Sequence, residues 1–245
     1  MILLERVSKR FGRNGETLAL DDVTLTVEEG AFVLLTGASG AGKTTLLKLI
    51  FAAERPDAGK VFLFGRDISR LRRSSIPYLR RNIGVVFQDF KLLQDRTILE
   101  NVMISLEIRT LPRRQMREKA ADVLAAVGLA YRIDATPRQL SAGEQQRVAI
   151  ARAIVGEPAI LLADEPTGNL DPDLTREILI LLSDVHRRGT TVMLATHDLQ
   201  IMLAGERAGF PRAHLTAGRV DILQPHLPTD EENIVRFPVM VNGER

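Results

Sequence analysis

A glycine-rich segment followed by a lysine and a threonine is the first group of residues that could bind a ligand. It reads Gly37-Ala38-Ser39-Gly40-Ala41-Gly42-Lys43-Thr44 and lies between a strand-like stretch, residues 31–36, and a helical stretch, residues 43–51. Glycines let the backbone fold around an anion, and N–H groups at a helix start donate to phosphate. Lys43 would reach the β- and γ-phosphates, and the Thr44 hydroxyl would bind Mg²⁺. The pattern predicts a site for Mg-ATP formed by Gly37, Ala38, Ser39, Gly40, Ala41, Gly42, Lys43, Thr44 and Thr45.

Two carboxylates and a histidine follow two further strand-like stretches. Residues 159–163 lead into Asp164 and Glu165, and residues 190–196 lead into His197. Open α/β sheets bind ligands at the carboxyl ends of their strands, so these side chains are expected at one edge. Side chains alternate along an extended strand, which predicts separate tasks: Asp164 for Mg²⁺ and Glu165 for the attacking water. His197 would sense the γ-phosphate by hydrogen bonding.

A helix start near residue 141 is a second candidate phosphate-binding element. The segment Leu140-Ser141-Ala142-Gly143-Glu144 carries an S-x-x-E capping box ahead of an apolar run. Its free N–H groups and dipole suit an anion, and Gly143 would permit close approach. Lys43 already belongs to one complete phosphate site, so a second one needs an explanation.

The elements that must position these residues follow the pattern of an α/β fold. Short apolar runs alternate with helical patterns, and a mostly helical insertion, residues 90–155, interrupts the predicted parallel sheet. Within this insertion, apolar residues recur at helical spacing over residues 112–127. Another helix, after the insertion, is predicted over residues 172–187. The length fits one domain, residues 1–220, followed by an extension of unknown role, residues 221–245.

Composition narrows the possible partners and compartments. Lys and Arg number 33 against 31 Asp and Glu, a net charge of +2 that does not favour nucleic acid. The absence of cysteine excludes disulfides, thiolate metal sites and a cysteine nucleophile. No apolar stretch approaches the roughly 20 residues of a membrane span, and the N-terminus lacks the features of a signal peptide. A cytoplasmic protein, soluble or peripheral to a membrane, is expected.

Residues 140–153 resemble the LSGGQ signature and following helix of the ATP-binding-cassette family, and the resemblance covers about residues 1–220. It implies a P-loop NTPase fold with a mixed sheet core, an inserted helical subdomain and a small N-terminal antiparallel β part. In that family the signature of one cassette faces the phosphate loop of another across ATP. The resemblance therefore implies an ATPase that forms a homodimer on ATP binding. The second phosphate-binding element is then formed by Ser141, Ala142, Gly143 and Glu144.

The same resemblance gives further residues their roles. Gln88 would contact Mg²⁺ or water, Asp171 would be the D-loop aspartate, and His197 would be the switch histidine. Asp171 followed by proline equally fits a helix N-cap, and both roles can coexist. Phe11 would stack on adenine, with a core phenylalanine as the alternative.

The signature departs from the family pattern at two positions. Ala142 stands where the family usually has glycine, adding a methyl group where backbone should approach the γ-phosphate, which would lower turnover. A nucleotide-binding regulator without appreciable hydrolysis is therefore an alternative. Glu144 in place of glutamine is a milder change that strengthens the capping box.

Residues 163–171 and 76–93 resemble the branch that includes lipoprotein-releasing, macrolide-exporter and cell-division cassettes, and residues 76–93 favour the cell-division type. This implies a polytopic inner-membrane partner, docked near residues 89–101 on the cytoplasmic face of the bacterial inner membrane, that regulates peptidoglycan hydrolysis. The alternative is the energy subunit of a lipoprotein-releasing or macrolide-type exporter. The arginines Arg70, Arg72, Arg73, Arg80 and Arg81 form a basic patch suited to anionic lipid or a partner, or simply a solvated surface.

Overall fold

The chain begins with three consecutive strands, then mixes strands and helices, with three consecutive helices in the middle and two consecutive strands at the end of the described part. The computed structural model describes residues 1–13, 15–168 and 170–223. Within them the elements are, in chain order, β1 (Ile2–Phe11), β2 (Thr17–Val27), β3 (Phe32–Gly37), α1 (Lys43–Ile50), β4 (Ala58–Leu63), β5 (Arg66–Asp67), α2 (Ile76–Arg80), β6 (Ile83–Val86), α3 (Ile98–Glu107), α4 (Arg113–Ala126), α5 (Ala142–Ile154), β7 (Ile160–Asp164), α6 (Pro172–Arg187), β8 (Thr191–Thr196), α7 (Leu199–Arg207), β9 (Arg212–Thr216) and β10 (Arg219–Leu223).

A six-stranded mixed sheet forms the centre of the fold, with the order β10-β9-β3-β8-β7-β6. Five strands run parallel, and β10 joins the edge antiparallel to β9. Every residue of β3, β7 and β8 is buried, as expected for parallel strands covered on both faces. In β8, Val192 and Leu194 pack into one hydrophobic cluster, while Met193 and Ala195 pack into a second. The carboxyl ends of β3, β7 and β8 therefore lie side by side.

A second, antiparallel sheet has the order β2-β1-β4-β5. Its inward side chains, among them Leu4, Val7 and Val61, belong to the same cluster as Leu46 and Leu47 of α1. This is the small N-terminal antiparallel part that was expected. Helix α1 packs between this sheet and the central one.

The helices α3, α4 and α5 form a helical insertion between β6 and β7. Capping boxes begin α3 at Thr97 and α5 at Ser141. Buried Asn101 accepts from Leu93 N at 2.7 Å and donates to Leu93 O at 3.0 Å, which fixes the loop ahead of α3. The apolar side of the three helices continues the cluster on one face of the central sheet.

The end of the described chain differs from the expected boundary at residue 220. Strand β10 runs to Leu223 and pairs residue by residue with β9, so it passes that boundary. Residues 224–245, the rest of the expected extension, lie outside the described residues. None of the described helices combines the length and the apolar composition required to cross a bilayer.

Candidate nucleotide site

The glycine-rich loop joins the carboxyl end of β3 to the start of α1, as its pattern predicted. Gly37 and Gly42 have φ values of 143° and 110°, which L side chains rarely adopt. A Cβ at Gly37 would lie 2.3 Å from Leu215 O, and one at Gly42 would lie 2.4 Å from Ala19 O. The glycines are thus required both by backbone conformation and by the packing of β9 and β2 against the loop.

Lys43, the first residue of α1, turns back over this loop. Its ammonium donates to Gly37 O at 2.8 Å and Ala38 O at 3.2 Å, and lies 3.3 Å from Glu165 Oε1. The side chains of Lys43 and Glu165 are 6% and 8% exposed. The Lys43 ammonium is thus held at the loop that is expected to hold phosphates, with the Glu165 carboxylate balancing its charge.

Glu165 does not continue the extended geometry of β7. Its φ of 47° is left-handed, and its N–H donates to Ala195 O at 2.9 Å. Because Glu165 leaves the extended geometry, side-chain alternation along a strand, the basis on which separate tasks were expected for Asp164 and Glu165, does not apply at this position. Instead, Asp164 meets Thr44, and Glu165 meets Lys43, so both carboxylates face the phosphate loop.

His197 is held by Glu165. Its Nδ1 lies 2.8 Å from Glu165 Oε1, and its backbone N–H donates to Oε2 at 3.3 Å. Most of the imidazole remains exposed, so its other nitrogen is free to meet a ligand. The structure therefore brings together Lys43, Glu165 and His197, which come from three separate elements.

Asp164 has an unusual environment for a carboxylate. Burial raises its pKa, and the negative charge of Glu165 adds to this, while a hydrogen bond from Thr44 and the charge of Lys43 act in the opposite direction. Its Oδ1 is buried without a hydrogen-bond partner in the described part of the chain. A buried carboxylate oxygen without a partner beside a threonine hydroxyl is well suited to a hard cation.

A cleft of about 340 Å³ collects most of the predicted residues. Its walls include Phe11, Ser39, Gly40, Gly42, Lys43, Thr44, Thr45, Gln88, Glu165 and His197. Phe11 is 37% exposed here, which favours the ligand-stacking role over the core alternative. The lysine ammonium of Lys9 lies 5.2 Å from the centroid of the Phe11 ring.

Thr17, Leu18 and Ala19 of β2, which no sequence motif indicated, line the same cleft. Phe11 pairs directly with Thr17 across the β1–β2 ladder. A hairpin prediction would have placed these residues beside Phe11, but the segment carries no motif of its own.

The signature segment and Asp171 are not among the residues that line this cleft within the described ranges. Ser141 and Ala142 are exposed at the start of α5, and the capping box is present: Ser141 N donates to Glu144 Oε2 at 2.8 Å, and Glu144 N donates to Ser141 Oγ at 3.2 Å. Asp171 caps α6 by accepting from Leu174 N at 2.9 Å, so its structural role is present.

Gly143 has a packing reason that the sequence did not reveal. A Cβ at Gly143 would lie 2.8 Å from the Leu174 side chain, so α5 and α6 touch at this glycine. The Arg147–Glu177 pair, 2.8 Å apart, joins the same two helices. The signature and the capped start of α6 are therefore in direct contact.

The basic patch is partly occupied by internal contacts. Arg80 donates to Phe51 O at 3.0 Å and Ala52 O at 3.1 Å, and the guanidinium of Arg81 lies 4.7 Å from the Tyr78 ring centroid. Arg72 remains exposed. Arg70, Arg73 and Arg80 are exposed as well, so four of the five arginines of the patch remain at the surface.

Residues 20–168 match the family model described as ABC transporter. The chain belongs to the ABC transporter family. It is 50% identical over 202 residues to the cell division ATP-binding protein FtsE of Escherichia coli, covering 82% of this chain and 90% of the relative. The FtsE proteins of Mycobacterium tuberculosis and Bacillus subtilis are 46% and 44% identical over the same length, with 87% and 88% of the relatives covered.

Solved structures agree with this ABC assignment. The ATP-binding cassette MJ0796, in a dimeric structure of a post-hydrolysis state bound to ADP and Pi, superposes with a TM-score of 0.85 at 35% identity. The match covers 92% of this chain and 99% of MJ0796, and a second dimeric structure of MJ0796 gives the same values. The chain is therefore an ATP-binding and ATP-hydrolysing ABC cassette with the P-loop fold that the sequence predicted.

Proposed function

We propose that this ABC ATPase works as a pair of identical chains that close on Mg-ATP, with each nucleotide held between the cleft of one chain and the signature of the other. The observation that carries the proposal is the separation of two phosphate-binding elements. Lys43 lies in the cleft, whereas the exposed residues Ser141 and Ala142 begin a capped helix outside it. A second copy supplies the missing half, and the dimeric MJ0796 structures support this arrangement.

Within one cleft the roles follow from the contacts. Phe11 would stack on the base, and Lys43, with the loop N–H groups, would bind the phosphates. Asp164, Thr44 and Gln88 would hold Mg²⁺, since Asp164 has a buried oxygen without a hydrogen-bond partner in the described residues. The metal would supply positive charge against the β- and γ-phosphates.

Glu165 would orient the attacking water and accept its proton. Its Oε1 lies 3.3 Å from the Lys43 ammonium, so a phosphate bound to Lys43 lies beside this carboxylate. His197, fixed by the same carboxylate at 2.8 Å, would donate from its exposed side to the γ-phosphate. Asp171 would meet the partner chain across the closed interface, while also capping α6.

The unit that closes would be the domain that runs from residue 1 through β10, and it would drive a membrane complex of the cell-division type. The partner would be a polytopic inner-membrane protein resembling FtsX that regulates peptidoglycan hydrolysis, which places this chain on the cytoplasmic face of the bacterial inner membrane. The relatives named FtsE support the proposal. The docking surface would be residues 89–101, where Leu93 is exposed on a loop that Asn101 holds in place.

Capture of the partner tests this function. The tagged Glu165→Gln chain, with Mg-ATP, is expected to retain one polytopic protein from solubilised membranes, and Leu93→Asp is expected to abolish retention while ATP binding persists. Leu203→Asp, at a similarly exposed leucine on α7, serves as the matched control. Retention of an exporter's membrane subunit would favour the lipoprotein or macrolide alternative, and retention by Leu93→Asp would refute the docking surface.

A further inference from the structure

Glu144, at the signature position where glutamine is usual, points into the fold. Glu144 is buried, although Ser141 and Ala142, which precede it, are exposed. One carboxylate oxygen, Oε2, accepts from Ser141 N at 2.8 Å. The other, Oε1, lies 3.5 Å from Arg132 Nε and accepts from the Tyr131 hydroxyl at 3.4 Å.

This carboxylate creates an electrostatic problem for a phosphate-binding helix start. The backbone hydrogen bond from Ser141 is the largest cause that lowers the pKa of Glu144, and the charge of Arg132 acts in the same direction, so the group is ionised at neutral pH. A negative charge in the first turn of α5 disfavours a second anion at that turn. A cation must offset the negative charge of Glu144 if the start of α5 is to bind the phosphates of a nucleotide held by another chain.

Arg132 is placed to do so. It ends a short 3-10 turn, Ala130–Arg132, and reaches the signature from outside α5. Besides Glu144, its guanidinium donates to Gln139 O at 3.3 Å, two residues before Ser141. Arg132 thus contacts the chain on both sides of Ser141, at Gln139 just ahead of the signature segment and at Glu144 within it.

We propose that Arg132 is a positioning residue for the signature: it neutralises Glu144 and keeps its carboxylate inside the fold, so that the exposed edge offered to the partner chain's phosphates is the uncharged pair Ser141 and Ala142. This inference rests on the proposed dimer. In this proposal Arg132 affects the closure of the dimer on Mg-ATP and not the folding of the chain.

A double-mutant cycle in the Glu165→Gln chain tests the proposal. The readout is the Mg-ATP concentration that gives half-maximal dimer by light scattering. Arg132→Ala is expected to raise it about three- to tenfold, because a buried carboxylate loses its charged partner. Glu144→Gln added to Arg132→Ala is expected to restore the original concentration, since glutamine can form the same capping box without charge. Arg138→Ala, at a more exposed arginine nearby, is the control and should change nothing.

The outcomes separate the inference from the proposed function. If the Glu165→Gln chain forms no dimer with Mg-ATP, the proposed function fails. If it forms a dimer and Arg132→Ala closes at the unchanged concentration, the positioning role is overturned. It is equally overturned if Glu144→Gln does not rescue Arg132→Ala, because the effect would then not pass through the carboxylate. In the otherwise wild-type chain, Arg132→Ala is expected to raise KM for ATP more than it lowers kcat.

Discussion

Replacing Asp164 with asparagine is expected to stabilise the chain in the absence of nucleotide and metal. The carboxylate is buried, its Oδ1 has no hydrogen-bond partner within the described residues, and Glu165 adds a like charge beside it. A buried polar atom without a partner costs about 1–3 kcal/mol, and asparagine removes the charge but leaves one unpaired oxygen. The net gain should be about 1 kcal/mol, or about 2–4 °C in Tm for a domain of this size.

The pH dependence of this gain has a definite sign. Burial raises the pKa of Asp164 above the ordinary value of about 3.9. Between the unfolded and the folded pKa the native state holds more protons than the unfolded state, so the wild-type chain loses stability as pH rises through that interval. The asparagine variant has no such loss. The extra stability of the Asp164→Asn chain over wild type should be absent below the unfolded-state pKa of Asp164. It should grow as pH rises towards the folded-state pKa and then level off.

Thermal unfolding followed by circular dichroism from pH 2.5 to pH 8, with EDTA present, measures this difference. Glu144→Gln provides a control of opposite sign, because the pKa of Glu144 is lowered, chiefly by the Ser141 backbone hydrogen bond. Glu144 contributes stability above its unfolded pKa that disappears as pH falls through its folded pKa, so Glu144→Gln should be less stable at pH 7 and equal to wild type in acid. An Asp164→Asn chain no more stable than wild type at pH 7 would refute the reasoning.

Three further substitutions have expected outcomes. Lys43→Ala should weaken ATP binding at least about tenfold, since it removes a charged donor to phosphate; titration with a fluorescent nucleotide measures this, with exposed Lys60→Ala as control. Ala142→Gly should raise kcat for ATP hydrolysis by removing a methyl group from the exposed signature edge, and an unchanged or lower rate in a phosphate-release assay would exclude that steric effect. Asp171→Ala should lower the free energy of unfolding in urea by about 1 kcal/mol through loss of the α6 cap, whereas equal stability would mean that the cap contributes nothing.

Local motifs predicted the placement of the phosphate loop well. The strand before Gly37 and the helix after Lys43 are both dictated by residues within a few positions, so short-range physics was sufficient. The same holds for the capping box at Ser141 and the Asp171 cap. Each of these features depends on neighbouring residues alone.

The features that sequence reasoning missed depend on contacts between distant residues. The left-handed turn at Glu165 is coupled to a backbone hydrogen bond with Ala195, which lies on another strand. Gly143 packs closely against the Leu174 side chain of α6, and the Arg132 contact with Glu144 crosses from one element to another. No spacing within one segment carries these signals, because the two partners meet only in the folded chain.

Light scattering of purified Glu165→Gln protein with Mg-ATP tests the central claim most directly. We predict a species with twice the mass of one chain, which reverts to the monomer when EDTA removes the metal and does not form when Lys43→Ala is added. A Glu165→Gln chain that binds Mg-ATP in its cleft yet remains monomeric at every protein concentration would contradict the account.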